Sequence, residues 1–181
     1  ITTETLALFV DAGLVEEHET GGETIYRVPG RRRMALEYYK NNVLHFFVPA
    51  ALVANAIQVG EEPVAVPTLV ERVGELMALF EHELNVTEDP AELVEAALAD
   101  MERSGEIERR ADGVRAGDAA AGKNVEVYGD MLRSYFEAYL LAARAVSTLP
   151  PKGGEVDGMQ RKEWLKKTLE LGQRMYLAGE L

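Results

Sequence analysis

The sequence predicts a mainly α-helical fold, a helical domain that carries two short β-hairpins in helix-hairpin-helix, winged-helix-like units. Three apolar-periodic helices end in a small residue followed by glycine, at Gly13, Gly105 and Gly179. Glycine just past a helix can adopt the left-handed conformation that satisfies the last carbonyls, so each glycine indicates a helix end. Strand-like residues follow the first two of these glycines, which indicates that a hairpin begins there.

Two segments have the residue pattern of a hairpin. Residues 14–28 surround a turn at Gly21–Gly22, and residues 106–115 surround a turn at Asp112–Gly113. We expect strands to be confined to these two segments. Because Gly105 follows Gly13 by 92 residues, the order of helix, hairpin and helix recurs along the chain. An internal duplication explains this recurrence, and so do two hairpins that arose independently.

Three helices are predicted between the hairpins. The first covers residues 34–57 and is kinked or divided at Pro49, because proline removes a helical hydrogen bond. The second begins at Thr68, which has capping-box spacing to Glu71. The third begins at Asp89, a capping residue that a proline follows.

Two more helices are predicted after the second hairpin. Apolar and aromatic side chains recur at helical spacing there, which indicates a helix with a stripe that packs in the core. The stripe comprises Tyr128, Leu132, Tyr135, Phe136, Tyr139, Leu140, Ala143 and Val146. Prolines and glycines at residues 150–154 predict a loop, and residues 159–178 form the last helix, on which Trp164 is expected to be a packing residue.

The length of 181 residues suffices for one sizeable core. We expect a first helix-hairpin-helix unit with the apolar helix in residues 1–60. The capped helices and the second unit follow in residues 61–149, and a linker and C-terminal helix in residues 150–181, all packed as one domain. The chain opens without methionine and without a basic segment ahead of its first apolar stretch, so we interpret it as an internal fragment with no signal peptide.

Charge and composition exclude several classes of function. The net charge of −12 argues against nucleic acid as a partner, because such binding depends on Lys and Arg at the phosphates. There is no cysteine for a disulfide or a thiolate metal site. The histidines His18, His45 and His82 are not spaced as metal ligands on one helical face. By residue chemistry alone the chain shows no catalytic, cofactor-binding or metal site, and we expect no cofactor.

The apolar run at residues 43–59 is too short to span a bilayer, which takes about 20 residues. It also contains His45, Pro49 and Asn55. Two interpretations remain. The run is a helix buried within the core, or it is a segment that rests on a bilayer or on a membrane-bound partner domain.

One segment has a combination of residue types that helical periodicity alone does not require. Residues 31–57 read RRRMALEYYKNNVLHFFVPAALVANAI, a basic triplet that leads into an aromatic, asparagine-bearing helix and then an apolar run. This segment resembles the region after the catalytic domain in membrane-bound bacterial glycerol-3-phosphate acyltransferases. The sequences MLRSYFEAY at residues 131–139 and LELGQRMYLAGE at residues 169–180 are similar to the same family.

The resemblance implies a function that the residues alone do not. The chain would be the non-catalytic C-terminal helical region of an enzyme that transfers an acyl chain from acyl-CoA or acyl-carrier protein to glycerol 3-phosphate, the first step of phospholipid synthesis. It would brace the upstream catalytic domain and aid peripheral association with the cytoplasmic face of the cell membrane. The family's base is a histidine followed five positions later by aspartate. Here His18 is followed by Glu23, a near miss, and the other two histidines by Ala50 and Thr87.

A second hypothesis from a different class is a free-standing, winged-helix-like module that binds protein and has no enzymatic connection. The acidic charge favours protein over DNA as the partner of such a module. A histidine-aspartate block upstream of this region would support the acyltransferase hypothesis, and its absence would support the free-standing module.

Five residues are predicted to contact a partner. Arg31, Arg32 and Arg33 lie at a helix start, where the helix dipole disfavours cations. They form a solvated turn or pair with nearby acids such as Glu37, or they contact anionic headgroups or an acidic patch on the catalytic domain. Phe46 and Phe47 point about 100° apart on a helix. We therefore expect one ring in the core and the other near an apolar patch that docks the catalytic domain or the bilayer.

Overall fold

The computed structural model describes residues 3–59, 63–118, 120–148 and 161–181. Its helices and strands follow the order predicted from the sequence, mainly helical with two antiparallel two-stranded hairpins in the described ranges. The helices are α1 Thr3–Asp11, α2 Gly30–Leu44, α3 Val48–Gln58, α4 Val66–Leu79, α5 Glu81–Leu84, α6 Pro90–Arg103, α7 Lys123–Met131, α8 Arg133–Ser147 and α9 Arg161–Leu177. The strands are β1 Glu16–Thr20, β2 Glu23–Arg27, β3 Ile107–Arg110 and β4 Gly113–Ala116.

The three predicted glycine helix ends are confirmed. Gly13, Gly105 and Gly179 have φ of 63°, 72° and 72°. After each glycine, the next backbone N–H reaches back five residues to a helical carbonyl: Leu14 to Phe9, Glu106 to Met101 and Glu180 to Met175, each at 2.9 Å. This arrangement satisfies carbonyls that the helix itself leaves without donors.

The two hairpins differ in their turns. Gly21 and Gly22 both have positive φ, 64° and 84°, as the predicted two-residue turn between β1 and β2 requires. In the second hairpin Arg110 pairs with Gly113. The turn residues are therefore Ala111 and Asp112, one position earlier than predicted, and Gly113 begins β4.

A backbone bridge outside the predicted strand segments joins the second hairpin to the α3–α4 connection. Val64 N–H donates to Val114 C=O at 2.8 Å, and Val114 N–H donates to Val64 C=O at 2.9 Å. Gly113 permits this approach, because a Cβ on it would lie 2.6 Å from the Val64 carbonyl oxygen. Val64, between α3 and α4, is thus paired with β4 of the second hairpin.

Pro49 divides the long apolar helix predicted for residues 34–57. Residues 45–47 form a turn between α2 and α3, and Pro49 lies in the first turn of α3, where a missing N–H costs no hydrogen bond. From α3 the side chains of residues 51–54, 56 and 57 are buried. This helix therefore occupies the centre of the core, in contact with α4, α6 and α7.

The predicted capping box at Thr68 is wrong. Helix α4 begins at Val66 after Ala65, with Pro67 in its first turn and no side-chain cap. Because proline suits the first helical turn, the helix starts upstream of the threonine. The cap at Asp89 is confirmed, since its carboxylate accepts hydrogen bonds from the backbone N–H groups of Ala91 and Glu92 at 2.9 and 3.3 Å.

The predicted stripe after the second hairpin packs only in part. A break at Leu132 separates α7 from α8. Leu132 is buried, but Leu140 and Val146 are exposed and Ala145 is buried in their place. Edge-to-face contacts with the fully buried Phe80 anchor α8, and they come from Tyr135, Phe136 and Tyr139.

The last helix packs on α8. A Cβ on Gly172 would lie 3.0 Å from Leu141, and the guanidinium of Arg144 donates to Glu180 at 2.8 Å. The predicted loop at residues 150–154 and the start of the last helix at residue 159 lie outside the described residues. The division of the chain near residues 60 and 150 also stays a prediction, because residues 60–62 and 149–160 are not described.

Candidate docking site

We call residues 3–44, which comprise α1, the first hairpin and α2, the first unit. Of its described side chains, only Val15, Pro29 and Leu44 are buried. All five residues of β2 are exposed, and four of the five in β1. A two-stranded hairpin without a covering layer is marginally stable at best. The apolar side chains exposed on this unit are Leu8, Ile25, Tyr26, Val28, Tyr38 and Val43.

The arginine triplet lies in the first turn of α2, as the sequence predicts. Arg31 lies 3.6 Å from the carboxylate of Glu16 on β1, and Arg32 Nε donates to the carbonyl of Gly13 at 3.2 Å. Arg32 therefore links α2 to the end of α1, and Arg31 links α2 to the hairpin. The side chain of Glu37, the predicted partner, lies outside the described structure.

Arg33 points elsewhere than its two neighbours. It lines a surface groove of about 450 Å³ together with Val28, Leu36 and Lys40. Lys40 also donates to Ser134 Oγ at 3.3 Å, which ties this side of α2 to α8. Two cationic side chains, Arg33 and Lys40, thus line the same groove.

Phe46 and Phe47 lie together at the turn between α2 and α3. The prediction that one ring is in the core is wrong: Phe46 is 73 % exposed and Phe47 is 38 % exposed. Leu44 and Val48, on either side of the pair, are buried instead. The helix ends at Leu44, so the two rings lie on a turn and the 100° helical spacing does not apply to them.

Both rings line a cleft that separates this turn from α6. We call it the Glu106 cleft; its volume is about 280 Å³, and its walls include Phe46, Phe47, Pro49, Met101, Glu106 and Tyr128. Phe47 stacks on Tyr128 with ring centroids 6.2 Å apart. The cleft is therefore apolar and aromatic at its mouth.

Glu106 supplies a buried carboxylate to the cleft and is only 6 % exposed. Its Oε1 accepts hydrogen bonds from Asn124 Nδ2 at 2.9 Å and from the Tyr128 hydroxyl at 3.0 Å. Burial raises the pKa of Tyr128, and so do its hydrogen bond to Glu106 and the negative charge of that carboxylate. Glu106 forms no ion pair with any described residue. No sequence pattern marks this site, since one glutamate after a helix-ending glycine resembles any solvated acid.

The sequence of the whole chain matches one known family. The profile of the glycerol-3-phosphate acyltransferase C-terminal region matches residues 1–181.

The chain belongs to this family.

The resemblance predicted from residues 31–57 is thereby confirmed, and the chain is the C-terminal region of a glycerol-3-phosphate acyltransferase. Such a region is attached to a catalytic acyltransferase domain. Membership favours the acyltransferase hypothesis over a free-standing interaction module. A search among curated proteins gives no match.

The histidines of this acyltransferase region lie apart from one another. His18 is exposed on β1, opposite Ile25, and its Nε2 lies 3.8 Å from Glu16. Glu23, its near-miss partner, pairs with Thr20 at the turn instead. Among the described residues, no three or more His, Cys, Asp or Glu side chains are placed to hold a metal ion. None of the described helices has the length and apolar character needed to cross a bilayer.

Proposed function

We propose that this region braces the catalytic domain of its glycerol-3-phosphate acyltransferase and helps to hold it at the cytoplasmic face of the membrane. The enzyme would transfer an acyl chain from acyl-CoA or acyl-carrier protein to glycerol 3-phosphate. The observation that carries the proposal is the uncovered state of the first unit, whose α1, hairpin and α2 bury almost none of their described side chains. Apolar surface of this kind marks a protein contact.

The catalytic domain is the occupant that fits this unit. Family membership attaches the region to such a domain. The unit is followed directly by α3, which is buried among the helices of this region. Its apolar face therefore remains open toward a partner while α3 anchors it to the rest of the region.

Two hairpin-unit substitutions test this bracing role in the full-length acyltransferase. Leu8→Glu and Ile25→Glu put charges on exposed apolar positions of α1 and β2. We expect each to lower the rate of acyl transfer and to accelerate its thermal inactivation, because a charge would be buried against the catalytic domain. Leu169→Glu, at an exposed leucine of α9, is the control. Equal rates of acyl transfer and equal inactivation temperatures in all three variants would contradict the bracing role.

The proposed contact with the membrane is the groove that Arg33 and Lys40 line. A basic residue near an anionic bilayer contributes about 1 kcal/mol, so Arg33→Gln should weaken co-sedimentation of the enzyme with phosphatidylserine vesicles about fivefold. Arg103→Gln on α6, where the arginine pairs with Asp100, is the control. Unchanged sedimentation of the Arg33 variant would exclude this contact.

A further inference from the structure

We propose that the Glu106 cleft binds an arginine side chain of the catalytic domain. The inference rests on the proposed bracing role and names the chemistry of one contact within it. The cleft combines a buried carboxylate with apolar and aromatic walls. The guanidinium of an arginine would pair with the carboxylate, and apolar residues beside that arginine would contact the walls.

Glu106 has no cationic partner among the described residues. An ionised carboxylate taken out of water is costly unless it is paired or fully hydrogen-bonded. Both described donors, Asn124 Nδ2 and the Tyr128 hydroxyl, are neutral and act on Oε1. Oε2 accepts no hydrogen bond from the described residues. Asn124 lies in the first turn of α7, whose dipole stabilises an anion in part.

The walls of the Glu106 cleft suit a guanidinium in shape and chemistry. Tyr128 and Phe47 present a pair of stacked rings beside the carboxylate. Aromatic faces attract cations, and a planar guanidinium both stacks on such rings and forms two hydrogen bonds to one carboxylate. Asp100 at the rim is already paired with Arg103 at 2.7 Å. Glu106 Oε2 is thus a carboxylate oxygen of the cleft that lacks a donor among the described residues.

The surroundings of the cleft favour a protein as the source of the arginine. Phe46 projects at the mouth and is 73 % exposed, so a partner that reaches Glu106 must also cover this ring. Exposed aromatic anchors beside a buried charge are typical of protein interfaces. The net charge of −12 favours a basic partner surface. An anionic lipid headgroup would not pair with the carboxylate of Glu106.

Site-specific photo-crosslinking in the full-length acyltransferase tests the proposal. p-Benzoylphenylalanine replaces Phe46, a near-isosteric change at an exposed position, and the crosslinked peptides are identified by mass spectrometry in the presence of phospholipid vesicles. We expect a crosslink to a catalytic-domain peptide that contains an arginine. A lipid adduct, a peptide without arginine, or crosslinks confined to this region would each overturn the proposal.

Glu106→Gln is then introduced into the crosslinking protein. It should lower the yield of that crosslink on the order of tenfold, because a charge-assisted pair becomes a neutral one. Glu92→Gln, at an exposed glutamate in the first turn of α6, is the matched control and should leave the yield unchanged. An equal yield in both variants would contradict the arginine contact. If the Leu8 and Ile25 variants still impair the enzyme, the bracing role stands without it.

Discussion

Arg109 of the second hairpin holds Glu95 of α6 through two parallel hydrogen bonds. The two guanidinium nitrogens lie 2.8 and 2.9 Å from the two carboxylate oxygens. Hydrogen bonding by Arg109 lowers the pKa of Glu95 below its ordinary 4.5, and the positive charge of the arginine acts in the same direction. A bidentate pair of this kind fixes geometry as well as charge. It therefore holds the hairpin against the helix that precedes it.

The pair should make stability depend on pH. Because the folded-state pKa of Glu95 is lowered, its contribution is present above pH 4.5 and is lost as the pH falls through the folded-state pKa. We expect an NMR titration of the Glu95 side chain to give a midpoint below 4.5. In Arg109→Gln the midpoint should return toward 4.5. The same midpoint in both proteins would show that the arginine does not act on this carboxylate.

Two phenylalanines show how the same residue type serves opposite roles. Phe80 is fully buried among three aromatic rings of α8, whereas Phe46 is largely exposed. We expect Phe80→Ala to lower the free energy of unfolding by about 3–5 kcal/mol. Phe46→Ala should change it by less than about 0.5 kcal/mol. Chemical denaturation of this region measures both, and equal losses would mean that Phe46 is a core residue.

At the scale of elements, the first residue of a helix depends on which of two neighbouring start signals, a capping side chain or a proline, comes first in the chain. Asp89 caps α6, but Thr68 is already inside α4 because Pro67 sets the start of that helix. We expect Asp89→Ala to destabilise the protein by about 1 kcal/mol. Thr68→Ala should be near neutral, since alanine is the better helix former. Thermal unfolding compares the two, and a larger loss for Thr68→Ala would restore the capping box.

The Val64–Val114 bridge depends on a single glycine. Gly113 has φ of 146°, and a Cβ there would lie 2.6 Å from the Val64 carbonyl oxygen. Gly113→Ala should therefore cost about 1–3 kcal/mol in the free energy of unfolding. Gly74→Ala within α4 meets only Pro90 at 3.7 Å and should stabilise by about 0.5–1 kcal/mol. A stable Gly113→Ala protein would show that the bridge is dispensable.

These elements also show what the sequence could and could not reveal. Local signals such as Gly13, Asp89 and the Gly21–Gly22 turn act within a few residues, so their predictions are confirmed. The Val64 bridge and the Glu106 cleft form between residues distant in the chain, and no local pattern encodes them. The stripe holds as far as Tyr139 and fails at Leu140, because the later part of α8 packs on α9 through Leu141, a contact that a periodic count cannot detect.

The whole molecule is uneven in its packing. The buried apolar cluster extends from Leu44 to Leu132 and draws on α3, α4, α6, α7 and the second hairpin. From the first unit, Leu44 alone among the described residues belongs to that cluster. The family and its C-terminal region were predictable because residues 31–57 carry a sequence pattern independent of packing. The exposure of Phe46 and Phe47 was only partly predictable, since it depends on where α2 ends.

Hydrogen exchange should reveal this unevenness. In this region without the catalytic domain, amides of α1, β1 and β2 should exchange much faster than those of α3 and α6, because few buried contacts oppose local opening. In the full-length acyltransferase the same amides should become protected. Uniform protection of the isolated region would show that the first unit needs no partner.

The Val64–Val114 bridge also has a kinetic consequence. The two valines are 50 residues apart in the chain, whereas each hairpin pairs residues only a few positions apart. Closing a long loop costs chain entropy, and local helices and hairpins form in microseconds. We therefore expect the bridge to close after the transition state for folding. Gly113→Ala should then accelerate unfolding and leave the folding rate nearly unchanged.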